Sequence, residues 1–123
     1  MAEAALCIVW GTPVHGREKD ALKVYNEKLQ YWGRLQQEKK IKSFEVVVLG
    51  PTGGDVTGFV LVRGTPQQID SVRRTKEYAR LIDRVQLIAD HVRVADAFVG
   101  EGLAKIMSQY QEDAVGWSGW IGG

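Results

Sequence analysis

Residues 41–64, IKSFEVVVLGPTGGDVTGFVLVRG, divide into two β-strands around a glycine-rich turn. The run Phe44, Glu45, Val46, Val47, Val48, Leu49 is apolar at both odd and even positions apart from its one carboxylate, and Phe59, Val60, Leu61, Val62 is apolar throughout. Strand side chains alternate between faces, so neither face of the sheet built from these strands is written for water. A chain of 123 residues has helices enough to cover only one of them. The expectation is a second copy of the same sheet packed on the uncovered face. The turn itself, Gly50 to Asp55, is loop chemistry. It is not a phosphate cradle, because no Gly-Lys-Ser/Thr closes it and a strand follows where a phosphate loop leads into a helix.

Upstream, Ala5 to Trp10 (ALCIVW) is a short apolar run with the length of a strand buried on both faces, hence central. After the loop Gly11 to Gly16, the apolar positions Leu22, Tyr25, Leu29, Trp32 and Leu35 step by three or four, the spacing of a helical stripe from Arg17 to about Lys40. Val24 and Tyr31 widen that stripe, while Glu27, Lys28, Gln30, Arg34 and Gln37 are predicted to face away. Glu18 and Asp20 near its start and Lys39 and Lys40 near its end complement the helix dipole.

Downstream, Thr65-Pro66-Gln67-Gln68 carries a threonine cap, proline at the first helical position and glutamine three after the cap. Ile69 and Val72 face the core, Arg73 to Lys76 interrupts, and Tyr78, Leu81, Ile82 and Val85 resume, so a break is predicted near Thr75. The segment HVRVADAFV, residues 91–99, alternates like a half-exposed edge strand. Leu103, Ile106, Met107 and Tyr110 mark a short C-terminal helix. A Gly/Trp-rich tail, residues 113–123, follows the single domain of residues 1–112 and is expected to dock on the body or on a partner chain.

Composition narrows the class. Apolar residues make up 45% and charged residues 25%, and 16 basic against 15 acidic side chains leave a net charge of +1, which gives no electrostatic footprint for nucleic acid. The N-terminal apolar run is too short and wrongly flanked for a signal peptide or membrane span. The lone Cys7 excludes a disulfide within the chain and points to a reducing, cytoplasmic compartment, with the thiol a small buried hydrophobe. No cofactor is expected. No metal is expected either, since ligand spacing is lacking throughout.

Strand, long helix, strand, turn, strand, helix, strand is the split βαβ order. With right-handed crossovers it gives an α+β, ferredoxin-like βαββαβ fold, an antiparallel sheet of order 4-1-3-2 with helices on one face. The first and third strands, which have the fewest charges, fall at the centre. The opposite face would be costly to leave wet, so a homodimer is expected.

The element order, the GFVLVRG strand leading into a capped helix, and the closing HVRVADAFVG together resemble the dimeric α+β barrel superfamily. That ferredoxin-like group includes the YCII-related proteins, the antibiotic-biosynthesis-type monooxygenases and muconolactone isomerase. The resemblance implies the fold and the dimer and fixes no reaction. The monooxygenases so resembled use an asparagine on an early strand with a tryptophan and often a histidine. Here the only asparagine, Asn26, falls in the long helix. The YCII-related group is associated with a histidine and aspartate pair and an Asp-Pro step in its second helix, whereas the corresponding stretch here reads Arg74-Thr75-Lys76-Glu77 and departs from that pattern.

Candidate site residues follow from the predicted packing. Trp10, Tyr25 and Trp32, with Phe44, are placed to line a ligand pocket between sheet and long helix, with Arg63 or His15 as its polar contact; the plainer account is that these aromatics fill the core. Glu45, His91 and Arg93 are placed on edge strands that approach a partner chain, where Glu45 would pair with Arg93 or His91. Two functions fit: a small-molecule-binding homodimer, including a cofactor-independent enzyme acting on an aromatic or polyketide-like compound, or a non-catalytic structural or protein-interaction dimer.

Overall fold

A computed structural model describes the backbone of residues 3–50 and 54–122 and the side chains of 3–50 and 54–115. Its elements in chain order are β1 (Ala4–Trp10), α1 (Glu18–Gln37), β2 (Ser43–Val48), β3 (Gly58–Gly64), α2 (Pro66–Arg73), α3 (Lys76–Ile88), β4 (Arg93–Ala97) and α4 (Gly100–Gly122). The four strands form one sheet in the order β2-β3-β1-β4, with every neighbouring pair antiparallel. This is the expected ferredoxin-like arrangement read from the other edge.

Register follows from the two-residue period. Leu6, Ile8 and Trp10 stand beside Val62, Val60 and Gly58 on one face, and this face carries the core. Against it pack Val24, Trp32 and Leu35 of α1, Ile69 and Val72 of α2, and Tyr78, Leu81 and Val85 of α3 in one continuous cluster. The other face runs in three rows across the strands: Ser43-Arg63-Ala5-Ala97, Glu45-Leu61-Cys7-Ala95 and Val47-Phe59-Val9-Arg93. Its middle is apolar, and α1, α2 and α3 all lie on the opposite side. Cys7 belongs to this second face and is half-buried, not enclosed in the core. Desolvation there pushes its thiol pKa up.

The second helical region breaks where its sequence says it should. Thr65 caps α2, its hydroxyl accepting from the Gln68 amide at 3.1 Å while the Gln68 side chain accepts from the Thr65 amide at 2.9 Å. Thr75 then begins α3 by accepting from Tyr78 N–H at 3.2 Å. Removing the Thr65 hydroxyl orphans a helix donor. Thr65→Ala is expected to lower stability by about 1 kcal/mol, measured by urea denaturation, with Thr65→Ser restoring most of it.

Three boundaries differ from expectation. The long helix ends at Gln37, and Lys39 turns left-handed (φ 60°) just beyond it, so Lys39 and Lys40 close the helix from outside. The last strand is shorter than 91–99, because His91 also adopts a left-handed conformation (φ 56°) and strand pairing starts only at Arg93. The C-terminal helix is longer, continuing through the Gly/Trp-rich segment to Gly122: no proline interrupts it, and glycine weakens a helix without forbidding it. Docking of the tail through Trp117 and Trp120 lies outside the described side chains, as residues 51–53 of the hairpin turn lie outside the described backbone. No helix of the described residues is long and apolar enough to cross a membrane.

Candidate functional site

The cleft around Lys28 starts with two glycines. Trp10 ends β1 on the core face, and a Cβ at Gly58 would lie 2.8 Å from its indole and 2.6 Å from the Val47 carbonyl, so only glycine lets the ring settle across β3. At Gly11 a Cβ would meet the carbonyl oxygens of Asp90 at 2.6 Å and Asp55 at 2.7 Å. The chain after β1 is thereby stitched to the end of α3, with Gly11 N–H donating to Asp90 at 2.7 Å and Val14 N–H to Ile88 at 2.8 Å. These contacts hold open a cleft of about 260 Å³ between α1 and the end of α3, walled by Trp10, Pro13, Val24, Tyr25, Val85 and Ile88.

Into this cleft comes Lys28. The buried positions of α1 are Val24, Lys28, Trp32 and Leu35, a row with steps of four and three. The sequence stripe shares Trp32 and Leu35 with this row but departs from it in the first half of the helix: Leu22, read as core, is 63% exposed, and Lys28, read as outward, is 4% exposed. The reason is amphipathic. Its methylene stem fills core-facing space while its ammonium rests on aromatic carbon, Nζ lying 3.3 Å from the centre of the Trp10 ring and 5.2 Å from that of Tyr25.

Among the described residues Lys28 has no ion pair. The acids on its own helix are engaged elsewhere: Glu27 with Arg84 at 2.8 Å, and Glu18, at the rim of the cleft, accepting from the Gly16 amide at 3.1 Å. With no carboxylate paired to it, desolvation lowers the Lys28 pKa from 10.5 to about 8. The cleft thus holds an amine that is partly neutral near physiological pH.

The sequence-derived site residues part company here. Trp10 and Tyr25 meet at the cleft as placed. Trp32 is fully buried one turn further along, edge-on to Tyr31 at 4.8 Å, with its Nε1 unpartnered, so it fills core and does not line the Lys28 cleft. His15 is exposed on the loop before α1 and outside the cleft wall. Arg63 cannot serve the pocket, because its odd position on β3 sends it to the sheet face opposite Trp10. Phe44 faces the core and packs at its edge. Glu45 and Arg93 lie on the sheet face away from α1, α2 and α3, at opposite edges of the sheet, so they have no contact within one chain. Arg93 approaches Asp55 at 3.8 Å, and His91 precedes the strand, exposed. Lys28 is the residue that pattern reading missed; its spacing of four from both Val24 and Trp32 was the available signal.

Two other hollows are present. A groove of about 520 Å³ between α2, β4 and α4 is crossed by the Arg73–Asp96 ion pair at 2.9 Å. A depression of about 370 Å³ between α1 and the α2–α3 junction includes Glu77, paired with Arg34. Each contains an ion pair, and the lysine lining the first, Lys105, is exposed. The Lys28 cleft is set apart by a cation that is buried and, among the described residues, without a counter-ion.

No protein-family profile matches the chain, and no curated protein sequence does. Solved structures do match. A dimeric ferredoxin-like protein of unknown function from Jannaschia sp. superposes with a TM-score of 0.61 at 10% identity, covering 79% of this chain and 99% of that one. The hydroxynitrile lyase of Passiflora edulis gives 0.60 at 14% identity over 82% and 97%. The cofactor-independent oxygenase SnoaB of Streptomyces nogalater gives 0.56 at 9% identity over 81% and 95%. The chain shares the ferredoxin-like fold of these structures.

Proposed function

We propose that the protein is a homodimer that binds a small, largely apolar or aromatic molecule in the cleft beside Trp10. The single observation that carries this reading is Lys28, a buried cation facing a largely apolar cavity with aromatic neighbours and, among the described residues, no ion-pair partner, Glu18 standing at the rim. Unpaired buried charge is costly, and a fold retains it most readily where a ligand uses it. The volume of about 260 Å³ suits a one-ring compound better than a polycyclic one. Neighbours of the same fold include an oxygenase described as cofactor-independent and a lyase, so the fold accommodates small-molecule chemistry.

The homodimer rests on the sheet face away from α1, α2 and α3, whose central row Leu61, Cys7 and Ala95 is flanked by Glu45 at the β2 edge. A second copy brings Glu45 of one chain within reach of Arg93 of the other. An interaction or structural dimer is the second reading, favoured by the exposed apolar side of α4 at Leu103, Met107 and Tyr110.

A one-ring probe separates the two. Benzyl alcohol is expected to raise the melting temperature of the protein by a few degrees, and Ala21→Phe, which fills the cleft from α1, is expected to abolish that rise while keeping the fold. Equal response of both proteins removes the cleft from consideration.

A further inference from the structure

We propose that Lys28 is a nucleophilic amine that forms an imine with the carbonyl of a small aldehyde or ketone held in the cleft; this rests on the ligand-binding reading above. Geometry carries it. Nζ is the polar group buried within the cleft, 3.3 Å above the Trp10 ring and turned to a cavity whose α3 wall, Val85 and Ile88, is wholly apolar. The titratable groups facing it are few. Tyr25 contributes a phenol from α1, Glu18 a carboxylate at the rim, and β1 and α3 contribute none. Arg84, the nearest α3 cation, is held outside the cleft by Glu27.

Desolvation that keeps a lysine partly neutral is what makes it a nucleophile, since only the free amine carries the lone pair. With its pKa at about 8, Lys28 holds roughly one-tenth free amine at neutral pH, on the order of a hundredfold more than an exposed lysine. The lone pair on Nζ adds to the carbonyl carbon as the C=O π electrons move to oxygen. Proton transfer from nitrogen to that oxygen gives a neutral carbinolamine. A second protonation of the hydroxyl lets water leave, and the nitrogen lone pair closes the C=N bond of a protonated imine. No oxidant or reductant enters. An apolar surrounding favours the neutral amine and withholds the bulk water that reverses the condensation, while Trp10 offers its face to the cationic imine.

The full-length protein is incubated near pH 7 with benzaldehyde and sodium cyanoborohydride, which reduces the imine to a stable benzylamine, and sites are read by peptide mass spectrometry. Benzylation is expected at Lys28 at least roughly tenfold faster than at Lys19 or Lys23 of the same helix, the larger free-amine fraction being partly offset by the weaker nucleophilicity of a less basic amine. Benzyl alcohol, which lacks the carbonyl, is expected to protect Lys28 alone, and Lys28→Arg to lose the fast site while the other lysines label unchanged. If benzyl alcohol still raises the melting temperature but Lys28 labels no faster than Lys19 and Lys23, the imine is overturned and the ligand-binding reading stands. If benzyl alcohol neither stabilises nor protects and labelling is uniform, both are overturned.

Discussion

Lys28→Met is expected to stabilise the isolated protein by about 2 kcal/mol at pH 7. A fall in lysine pKa from 10.5 to about 8 corresponds to about 3 kcal/mol of lost preference for the charged form. Loss of the ammonium contact with Trp10 offsets about 1 kcal/mol of that. The sign sets the pH dependence. Below about pH 8 the lysine is charged in both folded and unfolded chains, and the folded state bears the full desolvation penalty. Between about 8 and 10.5 the unfolded chain binds the extra proton, so wild-type stability rises with pH and the advantage of the variant shrinks. Urea denaturation of both proteins at pH 7 and pH 10, at one protein concentration, measures this difference. A variant of equal or lower stability at both pH values would show that the charge is compensated and would remove the premise of the cleft.

The second large effect concerns the sheet face away from α1, α2 and α3. Leu61→Asp is expected to raise the dimer dissociation constant by a thousandfold or more, because two-fold symmetry places two carboxylates at the centre of the interface, together costing about 4 kcal/mol or more. Leu61 belongs to the face away from the core cluster, between Glu45 and Cys7, so the fold of the subunit is expected to persist by circular dichroism. Sedimentation at micromolar concentration reads the mass. Cys7 supplies an independent signal: its thiol is free and half-buried on the same face, and its alkylation is expected to accelerate when the partner leaves. A wild-type protein that sediments as a single subunit at that concentration would refute the dimer outright.

Much of the fold was legible because its signals are local. The Thr65-Pro66-Gln68 signature names a helix start by hydrogen-bond chemistry alone, and both bonds of the cap are present. The polar run from Arg73 to Lys76 could not continue an apolar stripe, and α3 restarts at its Thr75 cap. Strand order followed from the split βαβ element order with right-handed crossovers, and the low charge of the first and third strands agreed with their central places. The site was less legible, since a helix pattern defines an apolar arc more firmly than its rotation. In the first half of α1 the buried row passes through Val24 and Lys28, which leaves Leu22 exposed, while Trp32 and Leu35 are buried as read. Arg63 was misassigned to the pocket for the complementary reason: strand parity fixes a face only once a neighbouring strand says which face is the core.

Sequence by itself determined the secondary elements, their antiparallel order and the existence of two apolar sheet faces, because capping, periodicity and chain connectivity act over a few residues. Only the tertiary structure decided that a lysine lies over Trp10, that Gly58 makes room for that ring, and that Arg63 turns from the cleft. Those outcomes depend on contacts between residues 18 or more positions apart, where the long lysine stem can be drawn inward by an aromatic partner supplied from another strand.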